Sequence, residues 1–492
     1  MESLETVRAT RREATHEEFD RRVERQAEAV REALDDGRFA GGFAIGLELE
    51  GYATDGEEHL ARVPESAFGS VCERELGRHN AELNTPRSGF DSPGMEAQAT
   101  ELGERVHRVR EAFDSVEFRF VTDGMWTIPP SEGSVAYLSE VERDDERPLP
   151  ANVSPASRYY ALDADITAHG TVELDVPGCR RGFPTIMVES LATSMQVHLQ
   201  PPTAAFPDYF DATLRTAGPV LALATNSPFL PPDLYEDGVD PETVLSGTSE
   251  LRVPVFESMN VAEPGKVRFP RDVGNPAEVV DRIVADRTCA PYLREWVEDG
   301  PREGFEGEYW ELLHKQSTCW RWVRPILGPE GPRIEHRLLP SQPSPADVVG
   351  LQALVTGLVH GVVTTDHPVA SLPWAAARNA TYAAARDGLD ADLAWVTRDG
   401  DRTSSPERIY PELFDLARAG LADRGLSDRR VAELLEPIEA RWAARTTPSG
   451  WKRARTRERL DDSASLEGAI TGTQREYIRR LGTGEPFAAW LD

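Results

Sequence analysis

The stretch FAIGLELEGY, residues 43–52, limits what this chain can fold into more than any other. It alternates as a strand does. Phe43, Ile45, Leu47 and Leu49 point one way; Ala44, Gly46, Glu48, Glu50 and Tyr52 point the other. The apolar side demands a cover. The other side sets two carboxylates next to one another, about 7 Å apart by strand geometry. Like charges that close repel unless water or a cation separates them. Taken alone, such a pair is most simply a solvated face, so the rest of the chain has to decide.

The same pattern recurs on other segments. In AELNTP (81–86), Glu82 alternates against Ala81 and Leu83. In SMQVHLQ (194–200), Gln196 and His198 share a face opposite Met195, Val197 and Leu199. In RIEHRLLP (333–340), Arg333, Glu335 and Arg337 oppose Ile334, His336 and Leu338. A sheet with one face on the core and the other lined by acids is costly unless cations fill it. Mg²⁺ takes oxygen ligands and is held by a few carboxylates plus substrate phosphates. Each residue also has a plainer reading: His198 as an ordinary histidine, Arg337 beside Glu335 as a salt bridge, His360 in its apolar helix as structural. No P-loop, G-x-G-x-x-G, G-x-S-x-G or H-E-x-x-H is present. The residues by themselves therefore reach a multi-Mg²⁺ site on an antiparallel sheet and stop there.

The remaining segments are mostly helical. Residues 15–36 carry an apolar stripe from Phe19 to Leu34, with Thr15 and Glu18 as an expected capping box and Gly37 as the stop. Further helices are expected near 94–113, 208–229 and 347–363, a strand over 115–123, and an irregular stretch over 230–275. Only helices are expected beyond about 405. Strands without parallel crossovers predict an α+β fold, an antiparallel sheet flanked by helices. The chain divides into an N-terminal helical segment (1–40), a main domain (41–400) and a helical C-terminal region (401–492).

Charge narrows the partners. Asp and Glu number 84 against 54 Lys and Arg, a net charge of −30, so phosphate-backbone partners are disfavoured. An acidic surface with little lysine serves either solubility or life in a salt-rich cytosol. The four cysteines form no C-x-x-C pair and are expected as reduced thiols. The N-terminus lacks an apolar signal core, and no run of about 18 apolar residues calls for a membrane. A cytoplasmic protein without membrane partners is expected.

The order of the segments adds a resemblance. GLELEGYATD, ERELGRHNAELNTP, SRYYALD, MQVHLQP, GPVLALATNSPF, RWVRPILGPEGPRIEHRLLPSQPSP and ARNATYAAARDGLDADL follow one another. This series resembles the bacterial and archaeal glutamate–cysteine ligases and their carboxylate–amine ligase relatives, over about residues 40–395. The resemblance implies a saddle-shaped antiparallel sheet like that of glutamine synthetase. It implies ATP and Mg²⁺ as cofactors, and a reaction through γ-glutamyl phosphate that an amine, cysteine first, then attacks. Carried over by position, Glu48, Glu50, Glu75, Glu82 and Glu335 are metal acids and Arg337 is the catalytic, phosphate-facing arginine. Arg252 and Arg158 fall near substrate- or phosphate-binding positions. The family's G-L-H-V-H-V strand reads SMQVHL here, so either Gln196 or His198 supplies that metal ligand. Its tryptophan in N-x-W-x-A-x-R is Tyr382 or absent. These departures leave two alternatives, a ligase for another amine and a non-catalytic paralog that binds nucleotide or amino acid. A kinase on a similar sheet fits the motif order less well. Small-molecule substrates are the expected partners, and a homodimer is compatible with this reading.

Overall fold

The computed structural model describes residues 2–69, 71–144, 147–297 and 303–491. Among these, eight strands build one antiparallel sheet that curls into a half-barrel. In chain order they are β1 (Ala44–Thr54), β2 (Glu73–Arg74), β3 (Asn80–Asn84), β4 (Ser88–Gly89), β5 (Arg119–Val121), β6 (Met195–Gln200), β7 (Val323–Gly328) and β8 (Gly331–His336). The spatial order is β7-β8-β6-β1-β3-β2, with β4 and β5 added at the two ends of β1. The opening motif is thus the central strand, and its 11 residues are the longest in the sheet.

The alternation read from the sequence holds. Ile45, Leu47 and Leu49 of β1, Met195, Val197 and Leu199 of β6, and Ile334 of β8 are all buried on the core side. The Pro345–Thr364 helix covers that side, and its Gln352 donates Nε2 to the Gly46 carbonyl at 3.1 Å. Ser344 caps this helix by accepting from Asp347 N. The helix crosses the Pro406–Asp423 helix at a backbone-close contact. A Cβ at Gly361 would lie 2.1 Å from Leu416 O, and one at Gly420 would lie 1.9 Å from Gly357 O. Pro345–Thr364 is also long and apolar enough to cross a membrane, but 89% of that window is buried within the molecule.

Several expected boundaries move. The first amphipathic helix runs Glu13–Asp35, so Thr15 lies buried inside it and caps nothing; Arg12 stands at the N-cap without a side-chain bond. The stop at Gly37 is as expected, with φ +67° and its N–H on Leu34 O. The helix expected near 94–113 is Ser92–Asp114, capped by Asp91. The strand expected over 115–123 shrinks to β5, because Ser115–Glu117 turn back on the preceding helix and Glu117 takes φ +61°. A hairpin over Val172–Phe183 and a 3₁₀ turn over Ile186–Leu191 precede β6.

The C-terminal helices Pro406–Asp423, Asp428–Ala443, Pro448–Asp461 and Leu466–Leu481 are as expected. The main hydrophobic core among the described residues runs from Val7 through the sheet to Trp490. Buried polar bonds tie the two regions together. Arg441 and Asp347, both fully buried, pair at 2.7 Å. Lys452 pairs with Asp123, which also accepts from Gln474 Nε2 at 2.8 Å.

Candidate active site

Sheet register brings the polar positions together. Glu50 of β1 lies opposite Glu82 of β3, and Glu48 lies between Asn84 and Gln196. His198 of β6 lies opposite Gly46 on one side and Glu335 of β8 on the other; Glu335 in turn faces Arg324 of β7. Since side chains alternate and the pairing is unbroken, all of these stand on the face away from the Pro345–Thr364 helix.

At the centre, one ligand atom each from Glu48, His198 and Glu335 lies within 4.8 Å of the others. Glu48 Oε1 is 3.0 Å from His198 Nε2. That nitrogen is nevertheless buried without an aligned hydrogen bond, so it and the carboxylate face a common space. His198 Nδ1 lies 3.2 Å from Arg333 Nε, which donates to it. Arg324 grips Glu335 with two N–H groups at 2.7 and 3.0 Å, and Arg337 Nη1 adds a third at 3.0 Å. Burial pushes the Glu335 carboxyl up, but the two guanidiniums outweigh it and hold it well below the usual carboxylate range. Burial also opposes the charge on Glu48, and His198 outweighs it. Glu335 and the other acids keep Arg337 firmly charged despite its burial.

Gln196 links the two halves of the face. Its Oε1 accepts from Arg337 Nη1 at 2.5 Å, and its Nε2 donates to Glu50 Oε1 at 3.0 Å. Both ends of the amide are thus engaged, as Nδ1 of His198 is by Arg333. Glu50 also accepts from the Ser194 N–H at 2.7 Å and the Ser194 hydroxyl at 2.8 Å.

Beyond Glu50 the acids lose their partners. Glu82 accepts one bond, from Asn84 Nδ2 at 2.8 Å. Burial first, then Glu48, Glu75 and Glu50, pushes its carboxyl well above the ordinary value. Burial and Glu50 push Glu75 to about 7. Glu189, from the 3₁₀ turn ahead of β6, is buried and pushed up by burial, Glu75 and Glu50. The face is therefore polarised, with arginines over β7–β8 and under-compensated carboxylates over β1–β3. Such a gradient suits a phosphate chain at one end and cations at the other.

The two remaining candidates differ in place. Arg158, exposed at the start of the Ser157–Thr167 helix, bonds the Tyr159 hydroxyl at 2.8 Å and faces Glu75 and Glu82. Arg252 is only 1% exposed, and its guanidinium donates to the carbonyls of Leu338 and Arg337 at 2.9 and 3.1 Å. It lies beneath the face and props the segment that carries Arg337. Tyr382 turns its hydroxyl to Glu257. Sequence reading did not single out Glu189 or Arg324. Arg324 had a signal, since Val323, Arg324 and Pro325 alternate in a strand. Glu189 had none, because a 3₁₀ turn carries no usable period.

A half-barrel sheet with a carboxylate–arginine face of this kind can hold divalent cations beside a phosphate chain. In fold, the chain is similar to the glutamate–cysteine ligase of Francisella tularensis, solved in complex with AMP. That match has a TM-score of 0.53 at 13% identity and covers 92% of this chain and 91% of that one. It is also similar to a bifunctional glutathione synthetase of Pasteurella multocida, with a TM-score of 0.48 at 13% identity, over 91% of this chain and 53% of that one. No curated protein sequence matches the chain. Residues 44–483 match the family model described as glutamate–cysteine ligase family 2, and the chain belongs to that family.

Proposed function

We propose that this protein is an ATP- and Mg²⁺-dependent ligase that phosphorylates the γ-carboxylate of glutamate and joins the product to the α-amine of cysteine, releasing ADP and phosphate. The observation that carries this reading is the convergence of Glu48, His198 and Glu335 within 4.8 Å, with Arg337 bonded to Glu335, in a chain matched to the family over residues 44–483. A carboxylate is a poor electrophile. Phosphorylation turns its oxygen into a leaving group, and the transfer itself needs positioning and charge stabilisation more than covalent help.

The donor set fits a divalent cation. Two carboxylates and an imidazole nitrogen without an aligned hydrogen bond face one space, and Glu50, Glu75 and Glu82 supply further carboxylates beside it. Mg²⁺ held by these residues would neutralise charge between phosphate and substrate oxygens. His198 ligates through Nε2 only with its proton on Nδ1, so Arg333 must turn aside from Nδ1. Arg337 presents a planar fork to the transferring phosphoryl group, and Gln196 and Glu335 fix its orientation. Arg252 holds the main chain of Arg337 in place. Arg158, on the acid side, would meet a substrate carboxylate.

The test is ADP release with ATP, Mg²⁺ and glutamate across a panel of amines. Release that requires both glutamate and cysteine is expected. Release with glutamate and a different amine would replace cysteine, and no release with any amine would favour the non-catalytic binder.

A further inference from the structure

Behind Arg337 lies a buried carboxylate that none of the chemistry above uses. Glu250 is 0% exposed, so its charge has to be answered where it stands. Its Oε1 accepts from the Ser227 hydroxyl at 2.6 Å, and its Oε2 accepts from the Asn226 N–H at 3.0 Å. Arg252 Nη1 lies 3.8 Å from Oε1, an ion pair too long for a hydrogen bond. Backbone bonds lock the frame around it. Leu251 N donates to Ser227 O at 2.8 Å, and Glu250 N donates to Ala385 O at 2.8 Å.

Arg252 is the link from this frame to the site. Its two terminal nitrogens donate to main-chain carbonyls, Nη1 to Leu338 and Nη2 to Arg337. Neither carbonyl carries a charge, and Glu250 is the one carboxylate within ion-pair distance of Arg252 among the described residues. Burial opposes the Arg252 charge; Glu250 is first to support it, and Glu50 of the sheet face is next. Without Glu250, the guanidinium would be drawn towards Glu50 and away from the two carbonyls. Arg337 N donates to Trp322 O at 2.9 Å, so this stretch hangs between the start of β7 and Arg252. The same turn also reaches the acid side. Asn226 Nδ2 donates to Ser341 O at 2.8 Å, and the Ser341 hydroxyl donates at 3.0 Å to the carbonyl of Ser194, the residue that binds Glu50.

We propose that Glu250 is a positioning residue for the ligase reaction. Its carboxylate, braced by Ser227 and Asn226, keeps Arg252 on the Arg337 and Leu338 carbonyls and so sets where the Arg337 guanidinium meets the transferring phosphoryl group. Its role in turnover rests on the ligase reading above; its placement of the Arg337 main chain does not. A carboxylate that only stabilised the fold would affect turnover whatever stood at position 337. One that acts through Arg337 loses its effect once that side chain is gone.

The test is a double-mutant cycle in the full chain with ATP, Mg²⁺, glutamate and cysteine. Glu250→Gln keeps the size and one acceptor and removes the charge. Turnover should fall on the order of tenfold, with the KM for ATP changed only a few-fold. In an Arg337→Ala background the same substitution should cost about twofold or less. Equal losses in the two backgrounds overturn the proposal. Ser227→Ala removes one brace, leaves both charges in place and should show the same dependence on Arg337, so the cycle stands even where Glu250→Gln folds poorly. Hydrogen exchange supplies a readout that needs no turnover. The 333–340 segment should exchange faster in either variant while β1 keeps its wild-type rate, and unchanged exchange over 333–340 overturns the proposal. Wild type that releases no ADP with any amine would sink the ligase reading, and the exchange result would then decide the placement of Arg337 by itself.

Discussion

At the scale of single residues, the site depends on how Arg337 is held. It touches Gln196 and Glu335 through one nitrogen, Nη1, and its backbone carbonyl is fastened by Arg252. If it stabilises transferring charge, Arg337→Ala should lower turnover by two orders of magnitude or more while raising the KM for ATP only a few-fold. Arg337→Lys should recover little, because an ammonium cannot present two parallel N–H groups. Steady-state kinetics beside thermal melts separate this from a structural salt bridge, which would lower melting temperature in both variants and spare turnover per folded molecule. Gln196 makes a second, independent case. Gln196→Leu removes one partner from Glu50 and one from Arg337, and each is left partly unsatisfied in a buried place. A loss of about 1–3 kcal/mol in denaturant unfolding is expected, together with slower turnover as Arg337 loses its tether. Stability and turnover both unchanged would show that the amide bridge is incidental.

Between elements, buried carboxylates do the joining. Asp163, in the Ser157–Thr167 helix, accepts the Ile186 N–H at 2.9 Å and so docks that helix on the 3₁₀ turn that carries Glu189. Burial pushes its carboxyl up to about 7 from 3.8. Between those values the folded chain keeps a proton that the unfolded chain has released, so the contribution to stability falls as pH rises across that window. Asp163→Asn keeps an acceptor and removes the titration. The variant should therefore gain on wild type between pH 5 and pH 8, by on the order of 1–3 kcal/mol. Chemical denaturation at both pH values checks this, and a difference that does not change with pH would rule it out.

For the molecule as a whole, buried polar pairs cross the expected division at residue 400. Removing 401–492 would strip Asp123 of Lys452 and Gln474, Asn226 of Tyr477, and Asp347 of Arg441. Each loss leaves a polar group buried without its partner, and for a buried ion pair that costs about 3–5 kcal/mol. Two of these losses are of buried ion pairs, and together they approach the 5–15 kcal/mol stability of a typical domain. A chain ending at residue 400 should fail to fold, seen as absent near-ultraviolet dichroism and aggregation on size exclusion. A monodisperse, structured 1–400 would overturn this. The surface makes a further whole-molecule case. With net charge −30, self-repulsion should be relieved by screening, so the melting temperature should rise by several degrees between 0.1 and 2 M KCl. A flat or falling response would leave solubility as the account of the acid. What the sequence determined alone was the set of faces. Period-two alternation assigned Glu48, Glu50, Glu82, His198, Glu335 and Arg337 to one side of their strands, because in a strand the side of a residue follows from its parity. The long helices were equally legible from spacing. Strand order and register, which bring His198 opposite Glu335 and leave Gln196 bridging Glu50 and Arg337, depend on contacts between residues more than a hundred positions apart. Glu189 and Glu250 belong to turns with no period of their own, and only the packed chain brings them to their places.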